Sequence, residues 1–226
     1  MKYLFPLLLL LTGCSSTSKD EPSVFKAITE RLKATQVEAE DAPSGKQTPT
    51  RAQITEFNVA MIQFNLEGED IYPIMLPTHV NRGYVIYGNK FRQSITLRES
   101  QITGTRGLGT DLVSATSSEN DPLKRLTPPQ HWPHRMTREY RFGGGGPQGR
   151  LESYTCTFSL GESSSLTLAG TPFAVIRIEE DCGNPENAFR NVYFADVKTG
   201  RVWQSQQYIG AAMPMLNLDI LEPLTQ

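Results

Sequence analysis

The sequence predicts an all-β fold: an antiparallel meander forming a sheet, a sandwich or a barrel-like domain, with one or two short N-terminal helices. Three observations carry this. Apolar and polar residues alternate with period two in run after run between Val59 and Tyr208, the signature of half-buried strands. Turn formers punctuate the runs, with 18 Gly and 15 Pro in 226 residues. The segments Asn191–Val197 and Arg201–Tyr208 flank Lys198-Thr199-Gly200, a hairpin in which Gly200 supplies a positive φ.

Taken in order, Ser23–Thr35 carries apolar residues at helical spacing around Phe25, Ile28 and Leu32 and predicts a short amphipathic helix. Glu38–Pro49 is rich in Glu, Asp, Pro, Gly and Ser and reads as a loop. Thr50–Thr55 predicts a second short helix, capped by Thr48 or Thr50. Strands follow at Met61–Leu66, Ile71–Leu76 (with Pro73 marking an edge or bulge), Gly83–Tyr87, Phe91–Leu97 and Gln101–Thr103. Asp111–Arg125 is read as holding a short helix before Pro128-Pro129. Arg135–Arg141 is a strand, Gly143–Gly146 a flexible turn, and Arg150–Leu160, Ser165–Leu168 and Phe173–Glu180 are further strands ahead of the final hairpin.

The N-terminus has its own logic. Lys2 is a charged n-region, and Tyr3–Leu11 is an apolar run too short to span a bilayer but of signal-peptide size. Leu11-Thr12-Gly13-Cys14 then matches a lipobox: an apolar residue, two small residues that let a peptidase approach the backbone, and a cysteine. The chain therefore divides into a lipoprotein signal peptide at 1–13, a tether with a short helix at 14–49 and a single β-rich domain at 50–226. Cys14 is the expected lipidation site, carrying an N-acyl diacylglyceryl group with palmitate-type chains, and two or more chains hold a protein stably on a membrane. Ser15, in place of Asp, favours the outer membrane, with the domain on the periplasmic side. No second apolar run is long enough to cross a bilayer.

A formal net charge of −2 with no basic patch argues against nucleic acid as a partner. With Cys14 assigned to lipid, Cys156 and Cys182 remain as an even pair in an oxidising compartment, so a Cys156–Cys182 disulfide is expected.

Two segments carry a family resemblance. Thr105-Arg106-Gly107-Leu108 with Asp111-Leu112 resembles a Thr-x-Gly-Leu-x-x-Asp-Leu signature, and Cys182…Phe189-Arg190-Asn191-Val192-Tyr193-Phe194-Ala195-Asp196…Gly200-Arg201-Val202-Trp203-Gln204-Ser205-Gln206-Gln207-Tyr208-Ile209-Gly210 resembles the end of the same family. That family is the YjbF/GfcB lipoproteins, associated with group 4 capsule and exopolysaccharide production. The likeness spans about residues 55 to 212, with Phe194 and Tyr208 standing where the pattern carries Trp. The resemblance implies an outer-membrane lipoprotein working among polysaccharide export components, beside an outer-membrane β-barrel protein. It carries over no catalytic residues.

Other chemistry is sparse. No Gly-x-Ser-x-Gly elbow occurs, and Gly143–Gly146 lacks the Lys-Ser/Thr of a phosphate loop. His79, His131 and His134 are the only histidines. His131-Trp132-Pro133-His134 has a metal-like spacing, but Pro133 forbids a regular helix and no third ligand stands nearby, so packing or surface roles are expected and no metal. Asp111, Glu179, Glu180, Asp181 and Asp196 are glycosidase-type carboxylates by residue type only. A candidate binding face is drawn from Arg106, Asp111, Asn191, Trp203, Ser205 and Gln207, with Arg201, Trp203, Ser205 and Gln207 on one strand face by alternation. Trp203 is read either as core or as a stacking platform for a sugar ring. The expected function is a non-enzymatic accessory to exopolysaccharide or capsule export, needing no cofactor beyond the lipid on Cys14. Alternatives are a periplasmic glycan-binding module and a glycan-modifying enzyme.

Overall fold

The computed structural model describes residues 45–144 and 149–224. The signal peptide, Cys14, the tether, the helix expected at 23–35 and two glycines of the Gly143–Gly146 turn lie outside the described residues. No helix among the described residues is long and apolar enough to cross a membrane.

One short helix, α1 (Arg51–Phe57), opens the domain, and its N-cap is Thr50. The Thr50 hydroxyl accepts from the Gln53 amide, and the Gln53 side chain accepts from the Thr50 amide at 2.9 Å, a reciprocal capping box. Thr48 is released from capping and donates instead to Gln63 at 2.8 Å. Twelve strands follow: β1 (Met61–Leu66), β2 (Ile74–Asn81), β3 (Tyr84–Gly88), β4 (Ser94–Arg98), β5 (Gln101–Arg106), β6 (Leu112–Ser117), β7 (Arg135–Phe142), β8 (Arg150–Leu168), β9 (Thr171–Gly183), β10 (Ala188–Asp196), β11 (Val202–Gln207) and β12 (Leu216–Glu222).

All twelve belong to one antiparallel sheet in the order β5-β4-β3-β2-β1-β12-β11-β10-β9-β8-β7-β6. The chain thus builds two meanders, β1–β5 and β6–β12, joined where β12 pairs with β1 from Met61↔Glu222 to Leu66↔Leu216. The two free edges, β5 and β6, are consecutive in sequence and meet at a seam. There the Leu112 amide donates to the Thr105 hydroxyl at 2.9 Å, and the Leu112 carbonyl lies 3.5 Å from where a Cβ on Gly104 would stand. The result is an all-β, nearly closed barrel, which shields most of its strand edges from pairing with other chains.

Inward residues of opposite walls form a single core that includes Phe64, Leu97, Ile102, Phe142, Tyr154, Ile178, Tyr193 and Leu218. Cys156 and Cys182 oppose each other in the β8–β9 ladder and are joined as a disulfide across 26 positions of chain. The hairpin turn after β10 packs against the rest of the domain at Gly200 (φ 77°). A Cβ there would meet the Thr127 carbonyl oxygen at 1.8 Å, so closeness as well as positive φ demands glycine.

The core also holds charge. Arg138 of β7 donates through Nε to Glu180 of β9 and through Nη1 to Asp121, each at 2.6 Å, and none of the three side chains is more than 1% exposed. Glu180 further accepts from Asn191 Nδ2 and the Tyr193 hydroxyl, both at 2.8 Å. Asp121 accepts from the Ser117 hydroxyl at 2.5 Å and the Leu123 amide at 3.0 Å. Burial alone pushes the Asp121 carboxyl up, but the Arg138 guanidinium, with the Ser117 and Leu123 donors, outweighs it and holds the group below the usual carboxylate range.

The short helix expected within Asp111–Arg125 is a single 3-10 turn at Pro122–Lys124, capped by the Asp121 side chain that Arg138 fixes, and it follows a strand, β6, absent from the sequence reading. Ser165–Leu168 is not a separate strand but the far end of β8, which continues past a bulge between Leu160 and Ser163. A twelfth strand, β12, lies beyond the last strand that the pattern had suggested.

Removing Asp121 breaks one of the two buried ion pairs of Arg138 and leaves its Nη1 donor facing a neutral side chain. Asp121→Asn is therefore expected to lower unfolding free energy at pH 7 by about 3 kcal/mol. Asp121 contributes its stability fully above its ordinary pKa of about 3.9 and loses it as pH falls through its lowered native value. The difference between variant and wild type in urea melts should accordingly shrink from pH 7 to pH 2. Replacing both Cys156 and Cys182 with Ala is expected to cost about 3 kcal/mol by chain entropy, read as a lower urea midpoint with an oxidised wild-type control.

Candidate functional site

The family-like segment at 105–112 is an architectural clasp. Asp111 accepts from the Gly107 amide at 3.0 Å, the Leu108 amide at 3.2 Å and the Thr105 hydroxyl at 3.3 Å. Thr105 in turn receives the Leu112 amide, and Leu108 and Leu112 are buried. Gly107 turns the chain at φ 73° with the Arg92 carbonyl 3.0 Å from a would-be Cβ. The motif closes the β5–β6 seam, and of its residues only Arg106 projects as an exposed charge.

The second segment is divided between the core and the outer surface by a bulge. Phe194 pairs with Gln204 but Ala195 pairs with Val202, so Trp203 is the extra residue. This overturns the single face of Arg201, Trp203, Ser205 and Gln207. Ser205 and Gln207 point into the core, while Trp203 stays half-buried with Phe173 stacked on it at 4.0 Å. Gln207 spans the interior: its Oε1 accepts from the Ile102 amide at 3.1 Å, and its Nε2 donates to the Ser100 carbonyl and the Ser205 hydroxyl at 2.9 Å. It thereby ties β11 to the β4–β5 hairpin. Asn191 is equally internal, bonded to Glu180 and to the Tyr208 amide. Tyr208 stacks face to face on Phe189 at 3.9 Å.

The remaining sequence candidates are committed elsewhere. Glu179 pairs with Arg177 and Arg190, Asp181 with Arg190, and Asp196 accepts from Lys198 and Thr199 in its own turn. Glu180 neutralises Arg138. Trp132 donates to the Thr127 carbonyl at 2.8 Å and packs edge-on against Phe158 and Tyr193, while His79, His131 and His134 are exposed. Among the described residues, the one cluster of metal-ligating types is Cys156, Glu180 and Cys182. Its two sulfurs are bonded to each other and so are not thiolates, the form in which cysteine binds metal.

What the structure does bring together is a groove of about 390 Å³ on the outer face of β1, β12, β11 and β10. The ladder register sets Gln63, Asp219, Gln204 and Phe194 side by side in one row, and Asn65, Asn217, Gln206 and Val192 in the next. Its floor is pinned. Gln63, 1% exposed, donates to the Gln47 and Tyr72 carbonyls at 2.8 and 3.2 Å. Asp219 pairs with Lys46 and accepts from Gln204 Nε2 at 2.8 Å. Sequence reasoning missed Asn217 and Asp219, although Leu216, Leu218 and Ile220 alternate with them cleanly.

Comparison with known proteins places this architecture. The family model described as "Group 4 capsule polysaccharide lipoprotein gfcB, YjbF" matches residues 25–221. The uncharacterized lipoprotein GfcB of Escherichia coli (strain K12) is 22% identical over 217 residues, covering 95% of this chain and 94% of the relative. The crystal structure of the hypothetical lipoprotein YmcC from Escherichia coli (K12) superposes with a TM-score of 0.70 at 19% identity, covering 92% of this chain and 100% of that one, a likeness of fold. With the family model extending from ahead of α1 into the last strand, the chain belongs to the YjbF/GfcB family of group 4 capsule polysaccharide lipoproteins.

Proposed function

We propose that this protein is a non-enzymatic accessory lipoprotein of capsule or exopolysaccharide export, anchored in the outer membrane through Cys14 and docking on an outer-membrane β-barrel protein. Membership of the capsule lipoprotein family carries the reading. The lipobox ending at Cys14 supplies the anchor, and Ser15 favours the outer membrane. A scaffold role suits the chemistry of the domain, because Asp111, Glu179, Glu180, Asp181 and Asp196 each serve a structural partner and a hydrolase needs carboxylates free to exchange protons.

Deleting the gene is expected to lower secreted polysaccharide several-fold, with wild-type protein restoring it. Cys14→Ala is expected to abolish palmitate labelling, release the protein from washed outer membranes and fail to restore secretion. Cross-linking of the wild type in cells should capture an outer-membrane barrel protein. Unchanged polysaccharide output in the deletion strain would overturn the role, and depolymerised or deacylated product from purified protein would reassign it to enzymes.

A further inference from the structure

We propose that the groove on the outer face of β10–β12 and β1 binds a segment of uncharged saccharide; this rests on the polysaccharide role proposed above. The argument begins with side-chain chemistry. A sugar hydroxyl donates and accepts at one atom, and a primary amide does both within one planar group, so amide-rich clefts match hydroxyl-rich ligands. Asn65, Gln204, Gln206 and Asn217 stand in adjacent register positions, giving such a surface along two rows of the sheet.

The groove's charges are already paired. Lys46 is neutralised by Asp219, and Arg177 by Glu179. A polyanionic chain would have to break these pairs, whereas a neutral one meets no unpaired charge. Phe194 is half-buried in the groove wall and has no ring stacked on it among the described residues, unlike Trp203, which Phe173 covers. It offers an apolar surface for the C–H face of a pyranose beside polar neighbours that fix orientation, the mixture that small-molecule sites use. The pinned floor adds preorganisation. Gln63, Asp219 and Gln204 are held by protein partners and lose little freedom on binding. Asn217 is half-buried and its side chain makes no hydrogen bond among the described residues, so its amide group is open to a ligand.

The test uses the mature lipoprotein in detergent micelles, titrated by calorimetry. The probes are oligosaccharides cut from the exopolysaccharide of the producing strain and separated by anion exchange into neutral and uronate-bearing fractions. The neutral fraction should bind. Asn217→Leu and Phe194→Ala should each weaken binding about tenfold, the loss expected for one or two hydrogen bonds or a stacked contact, with unfolding midpoints near wild type. Trp203→Phe should leave binding unchanged. Where Phe194→Ala fails to fold, Gln206→Ala takes its place. No binding of the neutral fraction at ~10 mM, binding of uronate oligomers alone, or neutral binding indifferent to Asn217 and its neighbours would overturn the site. Full secretion from a deletion strain complemented with Asn217→Leu, set beside the several-fold loss in the deletion itself, would sink the groove and leave the secretion role standing.

Discussion

The domain is organised around a buried guanidinium. Arg138 has no access to water, and a charge in that position persists only when its donors are satisfied by fixed partners. Asp121 and Glu180 supply them from different parts of the chain, and Asn191 and Tyr193 complete the shell of Glu180. The network spans β7, β9, β10 and the turn ahead of Pro122, so a one-residue slip in any of those strands would strand an ion. Burial lowers the Arg138 pKa, but the two carboxylates more than reverse this, so the charge is permanent. Around the triad the aromatic rings of Tyr140, Trp132 and Tyr193 fill the space. This core is specified by polar geometry as much as by volume.

Closure is the second constraint, and it explains the segments that look most like the family. A barrel of two meanders leaves one seam, and Thr105, Gly107, Leu108, Asp111 and Leu112 occupy it. Gln207 reaches over from β11 to the β4–β5 hairpin and braces the same region from within. The residues of the 105–112 segment serve shape, whereas the second segment divides its work: Asn191, Ser205 and Gln207 face the core, and Phe194, Gln204 and Gln206 line the outer groove.

Legibility in the sequence followed periodicity and stopped where periodicity breaks. Strands such as Tyr84–Gly88 and Arg150–Leu160 announce themselves by alternation, and Gly200 marks its turn. The face of Trp203 could not be read, because a bulge adds one residue and transfers everything after it to the opposite side. Within Asp111–Arg125 neither β6 nor the shortness of the helix is legible, since the strong determinant, Arg138 gripping Asp121, is a contact 17 positions apart that no local window contains. Residue type alone does not set Glu180 apart from Glu179 and Asp181, yet it is fully buried while its neighbours pair at the surface. The groove was invisible for a related reason: its rows are assembled from four strands drawn from both ends of the domain. β12 is written in the sequence all the same: Asn217 and Asp219 between Leu216, Leu218 and Ile220 are as regular as any strand earlier in the chain.

The position of β12 has a consequence for the order in which the protein can come into being. It is the last strand in sequence and yet lies between β1 and β11 in the sheet. Until it has emerged, each meander ends in an unpaired edge, and the pairing of β1 with β12 joins the two strands most distant in sequence. The strands that precede it can form two separate meanders but not a barrel; the body becomes whole only when β12 inserts between β1 and β11.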